Sequence, residues 1–269
     1  EEDPFFRDAD DLFSQLLKRR GVPTPGGTRT QPVNQDEAFF IQLDVDRTEV
    51  FEGEQITATY YLMTPYQVRD IDTLKYPSLK GFWKEDIEIA TRLNFQREVI
   101  NGVAYNKALL ASYALFPLKA GKITIDPYKA RCTIVTQMNM MGMGQPYQYT
   151  KSSKPVTVTV KPLPKDSQPQ DFSGAVGQFA VSSRVENSRV PLNQPFALKV
   201  RIEGRGNAKV IELPPLQLPA DLETYDTKTE SKFNRDGTSF KEFEIFLIPR
   251  RQGSFTIPAV SISSFDPEK

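Results

Sequence analysis

One run of residues recurs about 140 positions further along the chain. Asp46-Arg47-Thr48-Glu49-Val50-Phe51-Glu52-Gly53-Glu54-Gln55-Ile56 has its counterpart in Glu186-Asn187-Ser188-Arg189-Val190-Pro191-Leu192-Asn193-Gln194-Pro195-Phe196. Each run ends in a polar turn and enters a strand of period two. Ile56, Ala58, Tyr60 and Leu62 alternate with Thr57, Thr59 and Tyr61; Phe196, Leu198, Val200 and Ile202 alternate with Ala197, Lys199 and Arg201. Alternation at this period puts one face in a core and the other in water. A chain that repeats such a unit is constrained to stack or string β-modules, and modules of this kind build spacers and binding surfaces more often than catalytic clefts.

Three further landmarks recur in the same order. Tyr76-Pro77-Ser78-Leu79 corresponds to Leu213-Pro214-Pro215-Leu216, and the hairpin dipeptide Asn101-Gly102 to Asp236-Gly237. Leu115-Phe116-Pro117 through Ile125 corresponds to Leu247-Ile248-Pro249 through Ile257. There Pro ends a strand by removing a donor, and Gly121 or Gly253 supplies the reversal. The inward row Ala111, Tyr113, Leu115 matches Phe243, Ile245, Leu247. The spacing shrinks to about 132 along the way, so the first copy is longer, mainly over residues 64–97 and 136–151.

The expected architecture is therefore all-β: two tandem immunoglobulin-like β-sandwiches preceded by a short amphipathic helix. Residues 1–37 hold the helix and a linker. The sandwiches occupy 38–161 and 172–269, joined by a Pro-rich, semi-rigid hinge over 162–171 that carries Pro162, Pro164 and Pro169. The final strand of the second unit is expected to finish by its last residue. In the helix, Asp3-Pro4 caps the start, and Phe5, Ala9, Leu12 and Leu16 share a face with Phe6, Phe13 and Leu17. That face docks either on a neighbouring domain or on a partner. Its clustered Asp8, Asp10 and Asp11 argue against anionic lipid.

Composition closes several routes. Lys and Arg total 34, as do Asp and Glu, which disfavours a nucleic-acid partner. There is no histidine and only one cysteine, Cys132, so His-dependent nucleophilic catalysis, His-containing zinc sites and an internal disulfide are all unavailable. Cys132 reads as a small buried hydrophobe. The acidic pairs Glu85-Asp86 and Asp10-Asp11 read as solvated, and Gly204-Arg205-Gly206 is too short for a phosphate loop. No enzyme activity and no cofactor are expected. The longest apolar stretch is too short to span a bilayer.

The candidate sites all accompany the first copy. Met138, Met140, Met141 and Met143 cluster within six positions, with Gly142 and Gly144 supplying turns. They suit a loop, an adaptable partner contact, or soft coordination of Cu(I) and reversible oxidation. Phe82 and Trp83 form either an exposed contact hot spot or a plug at the end of the sandwich. Phe5 and Phe6 are contact candidates on the helix. A ligand-binding alternative would use Tyr61, Tyr147 and Tyr149 as a platform for cell-wall carbohydrate, or the methionines for metal. A chaperone reading would need a groove lacking one strand.

Several of these residues together resemble the BatD-type aerotolerance, or oxygen-tolerance, proteins. They are Val45-Asp46 with Val50-Phe51-Glu52-Gly53-Glu54-Gln55, then Gly81-Phe82-Trp83, then Ala114-Leu115-Phe116-Pro117-Leu118-Lys119-Ala120-Gly121-Lys122-Ile123-Thr124-Ile125-Asp126-Pro127; Asp3-Pro4-Phe5-Phe6 adds to the likeness. The resemblance implies several immunoglobulin-like domains in the bacterial periplasm and an inner-membrane anchor at the C-terminus of the full-length protein, absent from this chain. It also implies a scaffold role beside von Willebrand factor A-domain membrane proteins and a tetratricopeptide-repeat protein, with a MoxR-type ATPase engaged indirectly. No catalytic residue is implied.

Overall fold

A computed structural model describes residues 34–136, 144–166, 168–170, 172 and 174–269. The expected helix over the N-terminal segment, with Phe5 and Phe6, lies outside the described residues. The described helix is a single turn, α1 (Gln35–Ala38), whose start Asn34 caps by accepting from the Asp36 N–H at 3.1 Å.

The first unit contains eleven strands: β1 (Phe40–Val45), β2 (Glu49–Phe51), β3 (Ile56–Thr64), β4 (Gln67–Lys75), β5 (Phe82–Ile89), β6 (Phe95–Ile100), β7 (Val103–Pro117), β8 (Gly121–Ile125), β9 (Lys129–Thr136), β10 (Gln145–Ser152) and β11 (Val156–Lys161). One layer is the sheet β1-β3-β7-β5, with β6 also paired to β7. The other consists of two three-stranded sheets, β10-β9-β4 and β2-β11-β8. Between the layers, the predicted row Ile56, Ala58, Tyr60 and Leu62 is fully buried, together with Ala111, Tyr113 and Leu115 of β7 and Cys132 and Ile134 of β9. Burying an Ile or Leu here stabilises the fold by about 1.5–3 kcal/mol. Asn101 and Gly102 both take positive φ, at 51° and 81°, in the β6–β7 hairpin, as that dipeptide predicts.

The two insertions peculiar to the first copy converge in space. Residues from the first supply β4 and those from the second supply β10, and the two flank β9 in one sheet. Sequence distance hides this pairing: Ile71 of β4 faces Cys132 of β9, which in turn faces Tyr149 of β10.

The second unit has four ladder strands, β12 (Gly177–Val185), β13 (Phe196–Gly206), β14 (Leu222–Phe233) and β15 (Ser239–Pro249), in the order β12-β13-β15-β14, plus a 3₁₀ turn at Ala208–Val210. The predicted inward residues Leu198, Val200, Ile202, Phe243, Ile245 and Leu247 form its core, with Ala175, Ala208 and Ile211. Its opposite face is covered by extended segments carrying Leu213, Leu216, Ile257, Val260 and Ile262, which form no ladder among the described residues. The last described strand of the second unit is β15. After β15 the only described pairing is an isolated bridge between Val176 and Phe265.

Candidate interaction sites at the joint and in the second repeat

The Pro-rich connection joins two units that are docked on each other. Trp83 projects from β5 on the face opposite Phe82. Phe82 is 8% exposed and belongs to the first core, whereas Trp83 is half-buried. The Trp83 ring lies 5.0 Å from that of Phe116, and Phe116 meets Phe233 of the second unit edge-on at 6.2 Å. Lys209 reaches across from the 3₁₀ turn to bond Glu85 at 2.6 Å, and its ammonium stands 5.8 Å from the Trp83 ring centre. Glu85, expected to be solvated, is therefore a joint residue, while Asp86 remains exposed beside Lys84 at 3.1 Å.

Other contacts complete this joint. Gln55 is buried and donates through Nε2 to the Gly237 carbonyl at 3.1 Å, while its Oε1 has no partner among the described residues. Arg47 bridges Glu54 at 2.8 Å and Glu268 at 3.0 Å, which raises its pKa, chiefly through Glu268. The Phe51 and Phe265 rings meet at 5.0 Å. Gly53 adopts φ +76°, a left-handed conformation that costs a β-substituted residue, and a Cβ there would sit 3.2 Å from Val176. Glu85, Gln55 and Lys209 carry no sequence signal for this role, because a contact between repeats leaves no periodicity.

The remaining candidates fall as follows. Met138, Met140, Met141 and Met143 lie outside the described residues. Cys132 is buried in the first core, and that burial pushes its thiol up to about 12. Tyr147 and Tyr149 pack against the first core, and Tyr61 lies under the Lys107 ammonium at 4.2 Å. Among the described residues no group of three His, Cys, Asp or Glu could hold a metal ion, and no helix is long and apolar enough to cross a membrane.

The second feature is a groove, and the repeat explains its shape. Two backbone frames match bond for bond. The Asp46 N–H donates to Thr57 O at 3.1 Å, and Glu186 N–H to Ala197 O at 3.2 Å; Gly53 N–H donates to Pro117 O at 2.9 Å, and Asn193 N–H to Pro249 O at 3.0 Å; Glu54 N–H donates to Phe51 O at 3.0 Å, and Gln194 N–H to Pro191 O at 3.2 Å. Gly53 and Asn193 share the left-handed conformation, at φ 76° and 62°, and so do Gly121 and Gly253 share positive φ. In the first unit β11 lies between β2 and β8, parallel to one and antiparallel to the other. In the second, no described strand lies between 188–192 and 253–257. A groove of about 680 Å³ is found there instead, lined by Val190, Leu192, Phe196, Leu222, Phe255 and Ile257 among others. Val50 is 2% exposed under β11, whereas Val190 is half-buried, and Leu192 and Val185 are 43% and 39% exposed.

The sheet order, the two cores and the repeated frame define a tandem immunoglobulin-like β-protein. A family model described as "BatD DUF11 like domain" matches residues 43–160 and 183–268, one span in each repeat. The chain belongs to the BatD family. No curated protein is significantly similar to it. Solved structures with some likeness include a type II cohesin dyad from the adaptor ScaA scaffoldin of Acetivibrio cellulolyticus, at 8% identity over 83% of this chain and 88% of that one, with a TM-score of 0.18. A marsupial T cell receptor matches at 11% identity over 79% and 56%, with a TM-score of 0.19. These scores are too low to bear on function.

Proposed function

We propose that this chain is a non-enzymatic interaction module of a membrane-anchored aerotolerance complex in the bacterial periplasm. It binds von Willebrand factor A-domain partners through loops or sheet edges. A tetratricopeptide-repeat protein takes part, and a MoxR-type ATPase is engaged indirectly. The observation supporting this reading is the family match over both repeats, in a molecule whose repeats are docked into one binding body by the Trp83–Phe116–Phe233 stack and the Glu85–Lys209 pair.

Cross-linking with mass spectrometry on the full-length protein in its native membrane tests this reading. Cross-links from the second unit or the joint loops to a von Willebrand factor A-domain protein are expected. A full cross-link map without any envelope partner would overturn it.

A further inference from the structure

We propose that the free edge of β14 is a self-association site. Its occupant is β14 of a second copy of this chain, paired antiparallel about a two-fold axis at Thr229. This contact needs none of the envelope partners named above.

β14 ends the sheet order β12-β13-β15-β14, and no described strand pairs with its outer edge. A later strand of the repeat does not belong there. In the first unit β5 and β6, which pair with β7 as β14 pairs with β15, also close that side of their sheet. Residues 226–232 are all exposed. Beside the Asp236-Gly237 turn, the Asn234 N–H donates to Thr238 O at 2.8 Å. Antiparallel bonds alternate along a ladder, so counting back from Asn234 leaves the N–H and C=O groups of Ser231, Thr229 and Thr227 pointing away from β15. The Thr227 N–H meets the Asp226 carboxylate at 2.8 Å, as an outward direction requires, and an arriving carbonyl would displace that exposed contact. Such a row of outward main-chain groups is a template for another strand.

The order of charges selects the partner and the register. Asp226, Lys228, Glu230 and Lys232 stand opposite Phe246, Glu244, Glu242 and Phe240 of β15, so they share the outer face of the sheet. None of them joins an ion pair among the described residues, whereas Glu242 and Glu244 are held by Arg201 and Lys199. With Thr229 on the axis, Asp226 meets Lys232 of the second copy and Lys228 meets its Glu230. Every charge on this face then finds its opposite. Glu230 gains most, because within its own chain it faces the like charge of Glu242. Sliding the copies by two residues would oppose Lys228 to Lys228 or Glu230 to Glu230. Sliding them by one would set outer side chains against inner ones. Charges that guard an edge repel an incoming strand; this order repels the neighbouring registers and accepts one.

Sedimentation equilibrium of the 269-residue chain, followed to millimolar concentration, should show a monomer–dimer equilibrium that weakens as salt is added. Lys228→Glu alone, or Glu230→Lys alone, puts like charges across the axis and should weaken association by about tenfold or more. An equimolar mixture of these two variants should recover it, because each copy supplies the charge the other has lost. The double variant Lys228→Glu/Glu230→Lys should recover it as well. Hydrogen exchange should show the Thr227, Thr229 and Ser231 amides gaining protection as concentration rises. A chain still monomeric at millimolar concentration, a dimer indifferent to the single variants, or a mixture without rescue would overturn the proposal. So would edge amides already protected in the dilute monomer, since a segment of the same chain would then cover the edge.

Discussion

The layer formed by β2, β11 and β8 in the first repeat and its counterpart in the second begin from one backbone and end in different states. Turns, left-handed positions and flanking hydrogen bonds correspond at Asp46–Ile56 and Glu186–Phe196. Yet Glu49–Phe51 is a strand, whereas Arg189–Pro191 is not. The difference is the neighbour. A short edge segment acquires ladder bonds only when a strand arrives to share them. Local sequence prepares the frame, and a partner strand converts it into sheet.

The sharpest way to break this comparison is to place a charge at equivalent depths. Val158→Asp puts a carboxylate into a fully buried site and should destabilise the first unit by more than about 3 kcal/mol. Val190→Asp, in the open groove, should cost less than about 1 kcal/mol. Denaturant unfolding followed by far-ultraviolet circular dichroism reads both units, and the fluorescence of Trp83, the sole tryptophan, reads the first unit and its joint.

Alkaline pH should separate the repeats next. Burial raises the pKa values of Tyr60 and Tyr113, and pushes Cys132 up to about 12 from its ordinary 9.0. All three are in the first unit, whereas the tyrosine of the second, Tyr225, is 73% exposed. For acids raised in the folded state, stability is complete below the unfolded pKa and is lost as pH climbs toward the folded one. The first unit should therefore lose thermal stability from about pH 9–10 upward. A melting temperature of the first unit that stayed level through about pH 11 would contradict this.

Smaller effects probe the joint. Gly53→Ala should cost about 1–2 kcal/mol, because a Cβ is strained at φ +76°. Asn193→Gly at the matching turn should be neutral or slightly stabilising in the same unfolding assay. A double-mutant cycle on Glu85→Ala and Lys209→Ala should return a coupling of about 1 kcal/mol between the units. A coupling of zero would mean that the repeats are docked by the aromatic stack alone. The smallest change is expected from Leu192→Ser, within about 0.5 kcal/mol, since Leu192 is exposed among the described residues.

The period-two rows are legible in the amino-acid order alone. Ile56 to Leu62 and Phe243 to Leu247 sit inward as alternation requires, and Asn101-Gly102 turns its hairpin. The expectation that the acidic pair Glu85-Asp86 is solvated fails for Glu85, because its partner Lys209 lies more than a hundred residues away and neighbouring residues reveal nothing about it. Trp83 is legible as special, but not as a joint residue half-shared by two units.

By itself, the sequence determined where the period-two rows turn and which of their side chains face inward. Those depend on residue-level forces: alternating burial, proline's missing donor and glycine's left-handed freedom. Only tertiary structure decided that two separate insertions meet around β9, and that Trp83, Glu85 and Lys209 bind the repeats together. Such outcomes depend on which distant surfaces meet, and the free energy of that meeting is stored in no single stretch of chain.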